Sequence, residues 1–423
     1  MQRTLIEELK PGEKVFIKGW IYEIRLLSKM AFILLRDSSG IVQCVAKDEK
    51  ILKEISNISL ESVVEITGQV KKANIKAEFS RKDVEIEISD LNVLVRAENL
   101  PIHVNEKTTT TELSKRLDYR FLDVRKPKVY AIFKVESTIL QAYREFMVKG
   151  NAIECMFPSI ISSSSEGGTE LYKLKYFEKD AYLSQSCQLY KQMLACSMEK
   201  VFAVFTVWRA EKHNTTRHLN ESRQLDFEMA FADEFAAMDV LARCIQYIIK
   251  KVISENGEEL RILNVKLAVP KTKYMTFKEV SDLMKKNKIS MGKDDLSPEV
   301  EKKLCEIYPD TIVFVHDWPI SGKPFYIMPK GKELSCGFDA IYQGVEISSG
   351  GQRVHIPDLL AERIKAKGLN PKNFTDYIDS FRYGAPPHAG WGLGLERLTM
   401  LMLGLENIRE AVLFPRDRER LTP

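Results

Sequence analysis

Residues 207–233, VWRAEKHNTTRHLNESRQLDFEMAFAD, decide how the larger part of the chain is read. Two apolar-rich runs flank a polar loop, and side chains on a strand alternate between its faces. On the first run Arg209 and Glu211 therefore share one face and Ala210 takes the other. On the returning run Leu225, Phe227, Met229 and Phe231 are expected on a core face, which leaves Asp226 and Glu228 toward the site. The loop between them offers His213, Asn214, Thr215, Thr216, Arg217 and His218, a dense set of donors suited to phosphate or ribose. Taken alone, the pair also fits a solvated hairpin with surface ion pairs.

Two later stretches carry chemistry of the same kind. In 335–353, SCGFDAIYQGVEISSGGQR, Gln343-Gly344 is a good two-residue turn that pairs Ile341 with Glu346. Asp339 then falls diagonally beside Glu346, with Ser349 nearby, an oxygen set that suits Mg²⁺. Arg353 follows as an anchor able to grip a carboxylate with two parallel hydrogen bonds. A charged hairpin face is the plainer meaning of the same residues. In 384–405, GAPPHAGWGLGLERLTMLMLGL, glycines 390, 392 and 394 lead into a helix bearing Glu396 and Arg397. This is neither a Walker loop nor a dinucleotide fingerprint. Glycine there would let a nucleotide lie against a strand, with Arg397 reaching its base or phosphates. For His388 a structural role is the simpler reading.

Upstream, residues 14–95 contain five strand-length apolar segments, with one helical stretch, DEKILKEISN, between the third and fourth. That order suggests an OB-fold over residues 1–98, although another small barrel fits the pattern too. Residues 99–128 turn polar and basic, as a hinge would. Residues 129–423 then alternate strands and helices, with a lysine-rich helical insertion expected at about 236–308. MDVLARCIQYIIKKVISENG reads as one amphipathic helix stopped at Gly257, and FKEVSDLMKK as a shorter one. The larger domain is expected to be α+β on an antiparallel sheet. The chain's 423 residues exceed what one hydrophobic core usually organises. No apolar run reaches the length of a membrane helix, and the N-terminus lacks the core of a secretory signal. The seven cysteines form no CxxC pair, which suits reduced thiols in a cytoplasm. A net charge of +4 permits an RNA partner through local patches without arguing for one.

The three motifs resemble, in order and spacing, those of the class II aminoacyl-tRNA synthetases. Residues 146–170, FMVKGNAIECMFPSIISSSSEGGTE, look like the dimer-forming first motif ending at Pro158, followed by the loop that folds over the amino acid. WRAE to EMAF looks like the second motif and GLGLERL the third. Within that class RAEKHNTTRHLNE, EGGTELYKLKYF, SQSCQLYKQ, GVEISSGGQR and LFPRDRERLTP resemble aspartyl enzymes of the archaeal type, and the likeness spans essentially the whole chain.

The resemblance implies aspartate activation with ATP and Mg²⁺, transfer to the 3′ end of tRNA-Asp, with tRNA-Asn an open second substrate, and a cytoplasmic homodimer. It implies that Glu166 engages the substrate ammonium and that Gln188, Lys191, Ser349 and Arg353 line the aspartate pocket. Arg209 would bridge the substrate carboxylate and the α-phosphate. Glu211, Arg217, His218, Leu219, Glu346, Gly394, Glu396 and Arg397 would hold ATP, with Arg209 and Arg397 catalytic. Asp339, Glu346 and Ser349 would bind the metal. In the barrel, Arg25, Phe32 and Gln43 match positions that hold an anticodon base, although the residues alone favour Phe32 as a core residue and only the resemblance reverses that. Tyr22 and Arg81 fall near positions linked to telling tRNA-Asp from tRNA-Asn.

Three positions depart from the pattern. Trp208 replaces the usual Phe, Cys187 stands where Pro is common, and residues 159–168 are unusually rich in serine. None removes a charge. Two rivals are an asparagine-handling relative of the same fold and a non-catalytic RNA-binding paralogue. The N-terminal barrel counts against an asparagine synthetase, and the retained Arg209, Asp339, Glu346 and Arg397 against the paralogue.

Overall fold

The computed structural model describes residues 2–105, 110–162, 171–212 and 214–423. The chain divides into two compact units, residues 1–130 and 131–422.

The first unit is built on a closed barrel of β1 (Lys14–Leu26), β2 (Ala31–Arg36), β3 (Ile41–Ala46), β4 (Val63–Lys72) and β5 (Ser80–Val95), in the order β1-β2-β3-β5-β4. Helix α1 (Glu49–Ile55) joins β3 to β4 and is capped by Asp48, whose carboxylate accepts from the Ile51 N–H. This is the OB-fold order that the strand count suggests. Alternation explains the closure: Ile17, Ile33, Leu35, Val42, Val64, Ile66 and Ile86 point inward to one core. Within the stretch expected as a hinge, residues 113–123 form two short helices that belong to this unit. Helices α2 (Leu113–Asp118) and α3 (Arg120–Asp123) gather around buried Asp123, which meets Arg116 at 3.0 Å, Arg120 at 2.7 Å and Lys126 at 3.0 Å. Burial pushes that carboxyl up, but the hydrogen bond and charge of Arg116, with Lys126, outweigh it and hold it below the usual range.

The second unit opens with α4 (Pro127–Lys149) and contains β6 (Ile153–Glu154), the small sheet β7 (Ile160–Ile161), β8 (Lys173–Tyr176) and β9 (Lys179–Leu183), and α5 (Gln188–Met198). The hairpin β10 (Lys200–Trp208) and β11 (Glu221–Ala230) follows, then α6 (Glu234–Glu255) and α7 (Gly257–Leu263). Next come β12 (Lys271–Thr276), α8 (Phe277–Lys286), α9 (Pro298–Ile307) and β13 (Thr311–His316). After the short pair β14 (Pro329–Lys330) and β15 (Leu334–Ser335), the chain forms β16 (Gly337–Tyr342), β17 (Val345–Gln352) and α10 (Pro357–Ala366), then α11 (Thr375–Ser380), β18 (His388–Gly394) and α12 (Leu395–Met402). The main sheet runs β12-β13-β16-β17-β18-β11-β10-β6 and is antiparallel apart from the β12/β13 and β10/β6 pairs. Its α+β character is therefore as expected.

One face of that sheet packs on α4, α6 and α12 in a single core that includes Leu225, Phe227, Met229, Tyr143, Ile245 and Trp391. Tyr143 is wholly buried, stands edge-on to Phe202 at 5.6 Å, and donates its hydroxyl to the Asp226 carbonyl at 2.6 Å. Burial of such side chains stabilises by about 1.5–3 kcal/mol each. The opposite face is thereby held flat and presents its polar alternates.

Several expectations are corrected. Phe231 is 73% exposed, because strand β11 ends at Ala230 and Phe231 turns to φ +56°, which breaks the alternation. The stretch 236–308 is not wholly helical or an insertion throughout: α6 is a core helix, and β12 joins the main sheet as an edge strand. Helix α6 stops one residue early, at Asn256, and Gly257 begins α7.

Candidate active site

The cleft lies over the polar face of the main sheet and encloses about 520 Å³. Three strand features build it. The β10/β11 hairpin carries Arg209 and Glu211 out of its first strand, their charged ends 4.0 Å apart. Asn220 ties the loop ends together, its Nδ2 donating to the carbonyls of Arg209 at 2.7 Å and Glu211 at 2.9 Å. The loop is held from below by Arg409, which donates to the Thr215 carbonyl at 3.0 Å and the Asn214 side chain at 2.6 Å. His218 and Thr215 share a 2.6 Å hydrogen bond, Arg217 lies 3.8 Å from Glu301, and the half-open loop backbone leads to buried Leu219. All of Arg209, Glu211, Arg217, His218 and Leu219 line the cleft.

The second feature is the β16/β17 hairpin. Gln343 and Gly344 take φ values of +48° and +78°, the left-handed pair that the tightest hairpin turn demands, and Ile341 faces Glu346 as expected. Beyond that point the register slips by one residue, so Ala340 faces Ser348 and Asp339 faces Ser349. The bulge at Ile347 puts Glu346 and Ser349, three residues apart, on the same side, where the Ser349 hydroxyl donates to Glu346 Oε1. Asp339 is brought beside both. Burial pushes its carboxyl up to about 6, with Lys323 opposing and Glu346 adding to the shift.

The third feature is β18 running into α12. Gly392 and Gly394 border the cleft, and Gly390 does not. A Cβ on Gly390 would stand 2.1 Å from the Phe227 carbonyl and 2.4 Å from Glu228 Oε2, so glycine is required there by neighbouring protein and not by a nucleotide. Arg397 reaches across to donate to the Glu346 carbonyl at 2.9 Å. Glu396 also borders the cleft, and its carboxylate accepts the Arg223 N–H at 2.9 and 3.1 Å and pairs with the Arg223 guanidinium at 3.2 Å. It thus fastens α12 to β11, and burial pushes its carboxyl up to about 7.

At the cleft's inner end four charges alternate. Lys191 Nζ donates to Asp226 Oδ1 at 2.7 Å and to the Trp391 carbonyl at 2.8 Å, and lies 3.7 Å from Glu228. Arg353 grips Glu228 through Nε at 2.9 Å and Nη2 at 3.2 Å. Lys191 sits behind Asp226 at 1% exposure and does not itself line the cleft, whereas Arg353, Asp226 and Gln188 do. Each of these two cations has a carboxylate partner, because an unpaired buried charge would cost several kcal/mol. His388 is buried with Nδ1 at 2.9 Å from the Pro386 carbonyl, a packed residue. Glu166 and His213 lie outside the described residues.

Sequence reasoning passed over Asn220, Arg409, Glu301 and Lys323. Asn220 holds the loop across its own hairpin, whereas Arg409 and Glu301 reach it through contacts distant in sequence, for which no local pattern exists. Lys323, in SGKPFY, pairs with Asp339 at 2.5 Å, and only the neighbouring glycine hinted at a chain turning into a site.

In the barrel, Arg25, Phe32 and Gln43 meet in a hollow of about 350 Å³ floored by β1, β2 and β3 and rimmed by residues 74–78. Phe32 faces away from the barrel core, directly across from Arg25, so the core alternative falls. Gln43 donates to Glu85 at 2.8 Å. Tyr22 is elsewhere. A bulge between Ile21 and Glu23 turns it into a small cluster with Leu34, Ile41 and Val104, where burial pushes its phenol up to about 12. Arg81 donates to the carbonyls of Ile6 at 3.0 Å and Glu7 at 3.2 Å and pairs with Asp83 at 2.8 Å. Neither Tyr22 nor Arg81 lines the hollow.

Residues 112–418 match the family model for class II tRNA synthetases (D, K and N), and residues 15–94 match that of the OB-fold nucleic acid binding domain. The chain is 45% identical over the full length of both proteins to the aspartate–tRNA(Asp/Asn) ligase of Archaeoglobus fulgidus, and 42% identical, again over both full lengths, to the aspartate–tRNA(Asp) ligase of Thermoplasma acidophilum. Among solved structures, the asparaginyl-tRNA synthetase of Pyrococcus horikoshii complexed with asparaginyl-adenylate superposes with a TM-score of 0.94 at 33% identity, covering all of both chains. The aspartyl-tRNA synthetase of Entamoeba histolytica gives 0.90 at 31% identity, covering all of this chain and 93% of that one. With the family model spanning well over half of its residues, the chain belongs to the class II tRNA synthetases.

Proposed function

We propose that the chain is an ATP-dependent aspartate–tRNA ligase, forming aspartyl-adenylate in the cleft of the second unit and passing aspartate to the 3′-terminal adenosine of tRNA-Asp. One observation carries this reading: Arg353 at the inner end of the cleft, Arg209, Arg217 and Arg397 along it, and the Asp339 and Glu346 carboxylates beside them form one continuous surface. The names of the archaeal relatives support aspartate as the amino acid.

Attack of the substrate carboxylate on the α-phosphorus needs no enzyme base, since the nucleophile is already ionised. Catalysis is then positioning and charge neutralisation. Arg209, projecting from the strand end, bridges the carboxylate and the α-phosphate. Arg217 and His218 meet the outer phosphates, and Arg397, anchored on Glu346, closes the nucleotide's other side. Arg353 keeps Nη1 for the side-chain carboxylate of aspartate while Glu228 holds Nε and Nη2. Lys191, behind Asp226, adds the second positive charge.

The donor set fits Mg²⁺. Among the described residues no three His, Cys, Asp or Glu side chains form a metal cage. Two carboxylates with a hydroxyl, open to a cleft, are what Mg²⁺ takes when phosphate oxygens and water complete its shell. Asp339, Glu346 and Ser349 would hold it. When bound it would neutralise charge on the phosphate oxygens as pyrophosphate leaves.

The barrel hollow is read as the anticodon contact, with Phe32 stacking a base beside Arg25 and Gln43. A homodimer is supported by exposed apolar residues in and after α4: Val148, Ile153, Met156 and Ile160. Seven unpaired thiols suit the cytoplasm. No helix among the described residues is long and apolar enough to cross a membrane.

The test is ATP–pyrophosphate exchange with aspartate and with asparagine, followed by charging of separate tRNA-Asp and tRNA-Asn transcripts. Exchange with aspartate alone is expected. Exchange with asparagine alone would make the chain an asparagine enzyme, and exchange with neither would favour the non-catalytic paralogue.

A further inference from the structure

Lys323 sits on the loop after Trp318, and its ammonium stands where a metal ligand should be open. Nζ lies 2.5 Å from Asp339 Oδ2 and 3.9 Å from the centre of the Trp318 ring. The two charged side chains are 13% and 7% exposed, so water screens their attraction little. An ammonium and a divalent cation cannot both sit on one buried carboxylate without strong repulsion. The Trp318 face holds the ammonium in this position by cation–π attraction. A nucleotide triphosphate entering the same cleft brings four negative charges, which give a displaced ammonium a new partner.

Resting on the reading of Asp339 and Glu346 as the metal carboxylates, we propose that Lys323 is a removable counter-ion. It keeps this pair from holding a divalent cation until a nucleotide arrives. The metal then enters with the triphosphate, and Lys323 leaves Asp339 for the phosphate oxygens. Lys323 is a positioning residue in this scheme, acting through Asp339. The device also lets the Asp339 and Glu346 carboxylates remain close together before the metal enters.

The test uses the full-length protein at fixed ionic strength, titrated with MgCl₂ without nucleotide and followed by calorimetry and tryptophan emission. Lys323→Met should bind Mg²⁺ at least about tenfold more tightly than wild type, the change expected from losing one competing charge at this range. Lys323→Arg, which keeps the cation, should stay near wild type. With a non-hydrolysable ATP analogue present, the advantage of Lys323→Met should largely vanish. With the analogue present, Mg²⁺ should shift the emission of the wild type as the ammonium leaves the ring, and Trp318→Phe should remove that shift. The proposal is overturned if Lys323→Met binds nucleotide-free Mg²⁺ no more tightly than wild type, or if Lys323→Arg tightens binding as much as Lys323→Met. Adding Asp339→Asn separates this from the metal assignment. If it abolishes Mg²⁺ binding with the analogue while Lys323→Met changes nothing, only the counter-ion role fails. If it leaves Mg²⁺ binding unchanged, the metal site itself is misplaced and the proposal falls with it.

Discussion

At the inner end of the catalytic cleft Lys191 and Arg353 are 1% and 2% exposed and meet Asp226 and Glu228 on strand β11. On the barrel surface Lys47 and Lys71 hold Glu87 with more than half of each lysine side chain in water. Both regions are charge-rich and both pair every one of these groups. What differs is the solvent each has given up. Buried pairs have lost hydration and depend on each other, so removing one partner leaves the other stranded. Exposed pairs exchange a protein partner for water at little cost. The size of a substitution's effect should therefore follow burial and not the number of charges removed.

The largest effect is expected at Arg353. Arg353→Met strands Glu228 and should lower unfolding stability by about 3–5 kcal/mol, while abolishing pyrophosphate exchange with aspartate. Adding Glu228→Gln should restore most of the stability in urea unfolding and none of the activity. A single-variant loss under about 1 kcal/mol would break the comparison at its buried end. Asp123 brings the same logic into the first unit. Its folded pKa is depressed, so its contribution is complete above the ordinary carboxylate value and is lost as pH falls through the lower folded value. Asp123→Asn should cost about 3 kcal/mol at neutral pH. It should also flatten the acid-induced loss of structure followed by circular dichroism below about pH 4.

The same contrast explains what was legible in the sequence. Period-two patterning marks the barrel strands and the core face of β11, and the Gln343-Gly344 turn fixes the start of the β16/β17 register. Patterning ends where a strand stops obeying its period. The bulge at Ile347 sets Ser349 opposite Asp339, the one at Tyr22 buries a side chain expected near RNA, and the positive φ of Phe231 exposes a ring expected in the core. The first two are one-residue slips in pairing and the third lies just past a strand end, and none is marked by the local pattern. The polar face of Asp226 and Glu228 could be read from alternation, but their partners lie 35 and 125 positions away, and no local spacing encodes such a pairing. For the same reason the carboxylate partners of Lys191 and Arg353 were not legible in the sequence and appear only in the fold.

A smaller effect is expected at Phe32, where the group lost is neither charged nor core. Phe32→Ala should weaken tRNA binding by about 1–3 kcal/mol, read as a rise in KM for tRNA charging. Pyrophosphate exchange should not change, because that reaction needs no anticodon. A matching loss in exchange would show that the substitution damages the fold and not the contact.

The smallest effect is expected from Lys47→Ala and Lys71→Ala together. The carboxylate of Glu87 loses two cations at once, more charge than Arg353→Met removes, and Lys47 is 3.0 Å from it, as close as many buried pairs. If pairing distance set the outcome, this double variant should rank with Arg353. Burial predicts the reverse: water rehydrates Glu87, two long side chains regain their rotamers, and at physiological salt the lost attraction is largely screened. Thermal melts of the double variant and wild type in 0.15 M salt should then coincide within the scatter of repeats, and should separate only slightly as salt is lowered. A melt displaced as far as that of Arg353→Met would mean that the barrel surface relies on its ion pairs after all, and that solvent exposure does not divide the two regions.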